Sequence, residues 1–313
     1  MSPSAIDPRG PGAGAIADLW WVLFVVCTIV AVITLGALAY AIFRRRVDWR
    51  LPSDEQDRAP TKAIVYAGII GPAIIISGLF LYVLITYRAI TGPGETPFTV
   101  RITGYKWWWD VQYEYDSPYL NARTANEVRI PVGRKVSLAL ESNDVIHSFW
   151  VPQLQGKMDL VPGRTNRIWI QADSPGVYRG QCAEYCGLQH ARMAFYVVAV
   201  EEREFEEWIA QQRRPAQPPQ DSATMRGRQV YLQRGCPLCH AVRGTESLAQ
   251  VAPDLTHVGS RLSLAAGVLP NTRGHMAGWI SNPQQIKPGS YMPRIPLSPT
   301  ELHDVVSYML SLR

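Results

Sequence analysis

Two thiols, two imidazoles and a thioether are the residues of this 313-residue chain whose types and spacing could bind a metal. The segment from Cys182 to Met193 reads Cys-Ala-Glu-Tyr-Cys-Gly-Leu-Gln-His-Ala-Arg-Met, and one more histidine, His147, stands upstream. Soft sulfur and imidazole ligands favour copper over calcium, magnesium or manganese, and a weak axial methionine is typical of electron-transfer copper. A Cys182–Cys186 disulfide, a zinc site of two cysteines and two histidines, and a core histidine at position 147 are the alternatives, and none of them uses Met193.

A second candidate site stands further along the chain. Cys236-Pro-Leu-Cys239-His240 is a C-x-x-C-H motif, in which two thiols bond the vinyl groups of a haem and the imidazole becomes the proximal iron ligand. A thioredoxin-like redox pair is the alternative, and the lack of a strand–helix pattern around the motif disfavours it. Four of the five cysteines thus stand in close pairs, which indicates metal, redox or haem sites rather than a disulfide framework.

Two apolar segments near the N-terminus are predicted to anchor the chain in a membrane. Leu19–Phe43 and Ala63–Tyr87 contain no charged residue, and each is long enough to cross a bilayer core of about 30 Å. The loop 44–62 between them holds six basic residues, whereas the tail 1–18 holds only Arg9. The excess of positive charge predicts a cytoplasmic loop, with the tail and everything after Tyr87 on the external side.

The basic residues and Cys27 both have competing explanations. The net charge is +5, but membrane topology accounts for the basic loop as well as an anionic ligand would, and no nucleic-acid-binding pattern is present.

Cys27 could belong to a cleaved signal or a lipoprotein anchor, but Val26 before it is not the small residue that such processing prefers. We therefore expect Cys27 to be an ordinary apolar-facing residue.

The chain after the second apolar block changes pattern twice. Short β-like runs separated by turn residues predict an antiparallel sandwich or barrel. These runs are Phe98–Thr103, Val128–Pro131, Val136–Glu141, Arg167–Gln171 and Ala194–Val200. The Pro- and Gln-rich residues 211–220 cannot build a core and predict a linker to a further domain.

Residues 15–210 resemble subunit II of the cytochrome c oxidases, a family with a cupredoxin-like Greek-key β-barrel behind two transmembrane helices. The resemblance implies a dinuclear copper centre, CuA, whose ligands are His147, Cys182, Glu184 through its carbonyl, Cys186, His190 and Met193. In the family the two thiolates bridge the two copper ions, and each histidine caps one of them. The carboxylate of Glu184 would help to bind a magnesium ion at the border with the catalytic subunit.

The aromatic stretch Gly104-Tyr-Lys-Trp-Trp-Trp-Asp110 resembles the segment where electrons enter that family's copper domain. By this resemblance Trp107 lies on the surface above the copper pair and receives the electrons. Ordinary packing of all three tryptophans is the alternative. Strand alternation places Trp107 and Trp109 on one face and Trp108 on the other.

Residues 222–313 resemble a small class I cytochrome c. The resemblance implies a helix over Gly227–Arg234 and another that contains Trp279, and Ser298-Pro-Thr-Glu301 is a capping box that opens the final helix. The sixth iron ligand is then Met292, on the loop before that helix, while Met276 and Met309 lie within helical patterns and serve packing. Three residues have further roles by this resemblance: Pro253, which braces His240, and Arg261 and Trp279, which meet the haem propionates.

Together these resemblances imply a multidomain membrane protein, a subunit II–cytochrome c fusion as in caa-type oxidases. Its expected parts are an external tail (1–18), a transmembrane helix hairpin (19–90) with its cytoplasmic loop, a cupredoxin-like CuA domain (91–210), a linker (211–221) and an all-α cytochrome c domain (222–313). Electrons would pass from a donor, such as a cytochrome c or a quinol-oxidising complex, through haem c and CuA to subunit I, which reduces oxygen.

The remaining expectations concern partners and rival functions. Subunit III is a further expected partner, and the bacterial cytoplasmic membrane is the expected location, with both external domains on the periplasmic side. A CuA subunit of a nitric oxide reductase is the alternative function. Quinol oxidase subunits lack these copper ligands, nitrous oxide reductase joins its CuA domain to a soluble propeller, and copper-assembly proteins lack a haem domain.

Overall fold

The computed structural model describes residues 4–44, 61–92 and 96–313. Most of the predicted cytoplasmic loop, with Arg45, Arg46, Arg50 and Arg58, therefore lies outside the described residues. The chain divides into two compact units, one of residues 14–91 and one of residues 1–13 with 92–313.

The smaller unit consists of the apolar helices. The first runs over Pro11–Phe43 and so begins within the predicted tail, because the small residues before Leu19 are compatible with a helix. The second spans Thr61–Arg88 and contains a π-helical turn at Tyr66–Ile70, immediately before Gly71 and Pro72. Proline at the start of the following α-helix removes a backbone donor, and this local change of hydrogen bonding fits the π turn. Both helices are long and apolar enough to cross a membrane.

The larger unit contains a β-sandwich of two five-stranded sheets. The strands are β1 Phe98–Tyr105, β2 Trp108–Tyr115, β3 Ala122–Ala125, β4 Glu127–Pro131, β5 Val136–Ser142, β6 His147–Trp150, β7 Met158–Leu160, β8 Asn166–Ile170, β9 Gly176–Cys182 and β10 Ala194–Val200. One sheet has the order β3-β2-β1-β5-β8 and the other β4-β10-β9-β6-β7. The β1–β5 and β4–β10 pairs are parallel and the other pairs antiparallel, so each sheet contains a crossover connection.

Alternating burial along these strands produces the core between the sheets. In β1, Phe98, Val100 and Ile102 point inwards while the residues between them are partly exposed. This period of two is the pattern of a sheet with one buried face. Helix Glu202–Arg213 follows β10 and covers the end of the core with Phe205, Trp208 and Ile209.

Helices dominate the C-terminal part, residues 222–313. They are Ser222–Gln233, Arg273–Ser281, Pro283–Ile286 and Pro299–Ser311, with a short hairpin of β11 Ser263–Leu264 and β12 Leu269–Pro270. The predicted capping box at Ser298 and Glu301 is present, since the backbone N–H of each residue donates to the side chain of the other. It fixes the start of the last helix.

The first and last of these helices cross at Gly227. A Cβ there would lie 2.0 Å from the carbonyl oxygen of Asp304 and 2.8 Å from Cβ of Tyr308, so only glycine permits this approach. Beside the crossing, Arg226 donates to both carboxylate oxygens of Asp304, at 2.7 and 3.0 Å. The crossing packs Tyr231 against Tyr308 in the core of this helical part.

The predicted linker is not a free tether. Helix Glu202–Arg213 extends into its first residues, and the segment after it hydrogen bonds to the helical part. The backbone N–H of Ala216 donates to the carbonyl of Arg243 (2.8 Å), and the guanidinium of Arg243 donates to the carbonyl of Gln212 (2.6 Å). A proline-rich segment still has backbone polar groups to satisfy, and here the neighbouring domain satisfies them.

Candidate metal and haem sites

His147 begins β6 and is completely buried. Its Nδ1 lies 3.9 Å from Sγ of Cys182, and its Nε2 lies 2.8 Å from Oδ1 of Asp144. Gly104 in β1 makes room for the ring, because a Cβ there would come within 2.8 Å of the imidazole. A carboxylate on Nε2 fixes the ring and leaves Nδ1 to face the thiols, the arrangement typical of histidine bound to a metal.

The loop from Cys182 to Met193 brings the other candidate ligands to the same place. Cys182 ends β9, Met193 directly precedes β10, and a 3₁₀ turn at His190–Arg192 folds the loop back. The two thiol sulfurs are 3.7 Å apart, too far for a disulfide bond. Cys186 Sγ lies 3.7 Å from Nδ1 of His190 and 3.8 Å from Sδ of Met193, and Cys182 Sγ lies 3.2 Å from the carbonyl oxygen of Glu184.

Burial and shared hydrogen bonds set the charge of this cluster. The hydrogen bond with Cys186 lowers the pKa of Cys182, and the same contact raises the pKa of Cys186. Burial lowers the pKa of His147, but the hydrogen bonds with Cys182 and Asp144 outweigh it and the net pKa is raised. A largely buried group of two thiol sulfurs, two imidazole nitrogens and a thioether fits copper in its chemistry.

Trp107 lies beside this cluster but not on the surface where we expected it. It occupies the turn between β1 and β2, its side chain is 7% exposed, and its Nε1 donates to the carbonyl of Cys186 at 2.9 Å. Residues of the C-terminal part cover it, including Gly289, where a Cβ would lie 3.9 Å from the indole. Trp109 is buried in β2 and forms a T-shaped contact with the ring of His147, and Trp108 is partly exposed and stacks on Tyr105.

The C-x-x-C-H motif forms a 3₁₀ turn, Cys236–Leu238, after Gly235, whose φ of +79° lies in the left-handed region that glycine tolerates. This turn follows a helix rather than a strand, so the context is not that of a thioredoxin-like pair. Nδ1 of His240 lies 2.7 Å from the carbonyl of Pro253, the contact that the resemblance implies. Burial lowers the pKa of His240, which keeps the imidazole neutral with Nε2 available for iron.

A cavity opens in front of His240, and the residues around it are compatible with a haem. It is lined by Asn126, His240, Pro253, Leu255, Val258, Arg261, Ser263, Leu264, Ala265, Met276, Trp279, Ile280, Met292 and Met309. Nε of Arg261 is buried and has no hydrogen-bond partner among the residues that the structure describes, although a guanidinium N–H requires an acceptor. A haem propionate supplies such an acceptor, so this orphaned donor supports the fit.

Three methionines border the cavity. Met276 and Met309 are buried in helices and belong to the hydrophobic core, whereas Met292 lies on the loop before the last helix and is partly buried. The carbonyl of Met292 accepts a hydrogen bond of 2.8 Å from Gln284, which holds that loop. Met292 as the sixth iron ligand stays a prediction.

Sequence reasoning missed three residues at these sites. Asp144 stands three residues before His147, and a carboxylate at that spacing was a signal that could have been used. Lys287 and Asn126 gave no signal, because the groups they contact lie in distant parts of the chain.

The fold and the two sites define a class: a membrane-anchored electron-transfer protein with an external domain. Comparisons with known proteins agree with that class. The family model described as cytochrome C oxidase subunit II, periplasmic domain, matches residues 117–200, and the cytochrome c model matches residues 224–313.

Relatives cover the full length. Cytochrome c oxidase subunit 2 of Alkalihalophilus pseudofirmus is 34% identical over 99% of this chain and 91% of its own. The Bacillus subtilis protein of that name is 26% identical over 96% of this chain and 90% of its own. The crystal structure of the periplasmic domain of subunit II of the Bradyrhizobium japonicum cytochrome oxidase is 28% identical, covers 40% of this chain and 96% of its own, and has a TM-score of 0.36.

The chain belongs to the cytochrome c oxidase subunit 2 family, with a cytochrome c domain at its C-terminus. It is the electron-input subunit of a haem-copper oxidase, and its domains imply copper and haem c as cofactors. The nitric oxide reductase alternative receives no support from these relatives.

Proposed function

We propose that electrons from a donor pass to the haem domain, then to the copper domain through Trp107, and then to the catalytic subunit. The contact of Trp107 carries this proposal. Its indole touches a copper-ligand candidate on one side, through the bond to the carbonyl of Cys186, and the haem domain covers it on the other.

The ligand roles form part of the proposal. The dinuclear copper centre is held by His147, Cys182, Glu184, Cys186, His190 and Met193, and the haem by Cys236, Cys239, His240 and Met292. Cys182 and Cys186 would hold the copper, which would supply one-electron transfer when bound. The chain's own contribution is rigidity: Asp144 and Gly104 fix His147, and two strands fix both ends of the thiol loop.

The proposed location is the bacterial cytoplasmic membrane, crossed twice, with the tail and both sites on the external side. The backbone N–H of Arg9 donates to the carbonyl of Gln153 (2.7 Å), and that of Asp173 donates to the carbonyl of Arg9 (2.8 Å). The segment before the first apolar helix therefore contacts the copper domain. Two crossings leave the tail and that domain on the same side, as this contact requires.

The proposed partners are subunit I, which holds the oxygen-reducing site, subunit III, and a donor such as a cytochrome c or a quinol-oxidising complex. A magnesium ion at the carboxylate of Glu184, shared with subunit I, also stays a prediction. Metal analysis of the purified complex, with Glu184→Gln as the comparison, tests it.

The experiment that tests the electron route compares Trp107→Phe with Trp108→Phe in the purified oxidase. Both changes remove an indole where β1 passes into β2, Trp107 from the turn and Trp108 from the first position of β2, but only Trp107 donates a hydrogen bond to Cys186. Oxygen and nitric oxide consumption are measured with donor, together with the copper and haem spectra. We expect Trp107→Phe alone to slow oxygen consumption strongly with both spectra intact. Equal rates in the two variants would refute Trp107 as the route, and consumption of nitric oxide in place of oxygen would refute the oxidase.

A further inference from the structure

Lys287 is buried where the haem domain meets the copper domain. Its side chain is 2% exposed, and its Nζ donates to two carbonyls: that of Trp107 at 2.7 Å and that of Ala265 at 3.0 Å. Trp107 belongs to the copper domain, and Ala265 lines the haem cavity. One ammonium group therefore joins the wall of the haem cavity to the residue beside the copper ligands.

The environment of Lys287 is costly for a charged group, so the two acceptors matter. Burial lowers its pKa to about 7. Both the ammonium and the neutral amine carry enough N–H groups for two carbonyls, so the bridge persists in either form. An apolar residue at this position would leave both buried carbonyls without this donor.

The loop opposite Lys287 is strained in a way that serves this contact. Ala265 and Ala266 have φ values of +53° and +60°, in the left-handed region that alanine rarely adopts. The carbonyls of both residues accept hydrogen bonds at the interface. That of Ala265 accepts from Lys287, and that of Ala266 accepts from the N–H of Ala194 in β10 at 3.0 Å. Gly267 follows, and a Cβ there would come within 2.9 Å of Cβ of Ala194. Strain of this kind persists where the surrounding contacts demand the conformation.

Three more bonds surround the same contact. Gln189 and Arg192, on the thiol loop, donate to the carbonyls of Pro288 and Ile286, each at 2.6 Å. The N–H of Leu262 donates to Oε2 of Glu127 at 3.0 Å. The segments 262–267 and 286–289 thus form one docking surface against the copper domain.

We propose that Lys287 is the positioning residue of this docking surface, holding the haem cavity at a fixed approach to Trp107. The inference rests on the proposed electron route and adds the residue that sets its geometry. The hydrogen bonds of Lys287 Nζ go to Ala265 and Trp107, so it acts through these two residues.

The test replaces Lys287 by methionine, which matches its length but donates no hydrogen bond, in the full oxidase complex. Lys157→Met is the control, since Lys157 is half exposed and pairs with Asp159 within the copper domain. Flash reduction of the haem then gives the rate at which electrons reach copper, and hydrogen exchange follows segments 104–107 and 262–267. Spectra and reduction potentials of both centres report whether each domain is intact.

We expect Lys287→Met to slow the internal transfer several-fold, because the rate of electron tunnelling falls exponentially as the separation of the two centres grows. Hydrogen exchange should rise in both segments, with spectra and potentials unchanged. Lys287→Arg, which keeps the donors, should recover part of the rate. An unchanged rate and unchanged exchange in Lys287→Met would overturn the inference while leaving the proposed function standing. Failure of transfer in the unaltered complex would instead overturn the proposed function.

Discussion

The carboxylate of Asp144 lies 2.8 Å from Nε2 of His147, on the side of the imidazole away from the thiols. The same carboxylate accepts backbone N–H bonds from Lys106 and Val145, both at 2.7 Å. Hydrogen bonds from the residues next to β1 and β6 therefore fix the carboxylate of Asp144, and this carboxylate fixes the orientation of the His147 ring.

Asp144→Asn should weaken copper binding by about 10 to 100-fold, the usual effect of removing such a partner. An amide that offers N–H to Nε2 favours the tautomer protonated on Nδ1, where it competes with the metal. Copper titration of the complex, monitored by electron paramagnetic resonance, measures the change. Asp159→Asn is the control, because Asp159 is half exposed and contacts only Lys157 among charged groups in the described chain. Equal affinity in the two variants would contradict the role of Asp144.

Met292→Leu should leave the haem covalently attached but change its axial ligation and raise or lower its potential measurably. The reason is that the thioether of Met292 is the only one of the three cavity methionines on a loop in the described residues. Optical spectra of the oxidised protein, which contain a band typical of Met–iron ligation, provide the measurement. Met276→Leu is the matched control. Survival of the band in Met292→Leu and its loss in Met276→Leu would reverse the assignment.

Gly227→Ala should destabilise the haem domain by about 1 to 3 kcal/mol or more, the cost of overpacking, since the new methyl group meets the backbone of Asp304 at 2.0 Å. Thermal unfolding followed by haem absorbance measures it. Gly274→Ala is the opposite control: Gly274 also lies in a helix, and its added Cβ would have no atom of the described chain within 4 Å. We expect a gain of about 0.4 to 1 kcal/mol in the free energy of unfolding. A similar melting temperature for both variants would show that the helix crossing is looser than described.

Ending the chain at Gln220 should leave copper loading intact and make turnover depend on added soluble cytochrome c. The deletion removes the haem domain and uncovers Trp107, so a diffusing donor can reach it. Oxygen consumption with the native donor, before and after adding cytochrome c, is the measurement, and the copper resonance is the control for folding. Full turnover with the native donor alone would mean that the haem domain is not an obligatory relay.

Much of the fold and of the two candidate sites could be predicted from patterns within short segments of the sequence. The ligand loop was readable because Cys182 to Met193 lie within one short segment, and the capping box at Ser298 because its bonds join residues three apart. The strands of the copper domain were predictable from the alternation of apolar and polar residues. The family models confirm both the copper domain and the cytochrome c domain.

Contacts between distant segments could not be predicted. Lys287 and Trp107 are 180 residues apart, so no spacing rule relates them. The left-handed backbone conformation of Ala265 could not be predicted either, since alanine rarely adopts it. For the same reason we expected an exposed Trp107, which the structure buries, and the sequence did not predict that the linker bonds to Arg243.

The covered face of Trp107 has a consequence for kinetic order. A copper domain served by diffusing donors is supplied at a rate that rises with donor concentration. Here the haem domain is already seated on that face, so delivery to the copper domain is a first-order step of the chain itself. A higher donor concentration can only keep the haem reduced; it cannot speed the step from haem to copper. The dependence of turnover on donor should therefore level off at a plateau set by the internal step, and high ionic strength, which weakens encounters between charged proteins, should shift the approach to the plateau without lowering it.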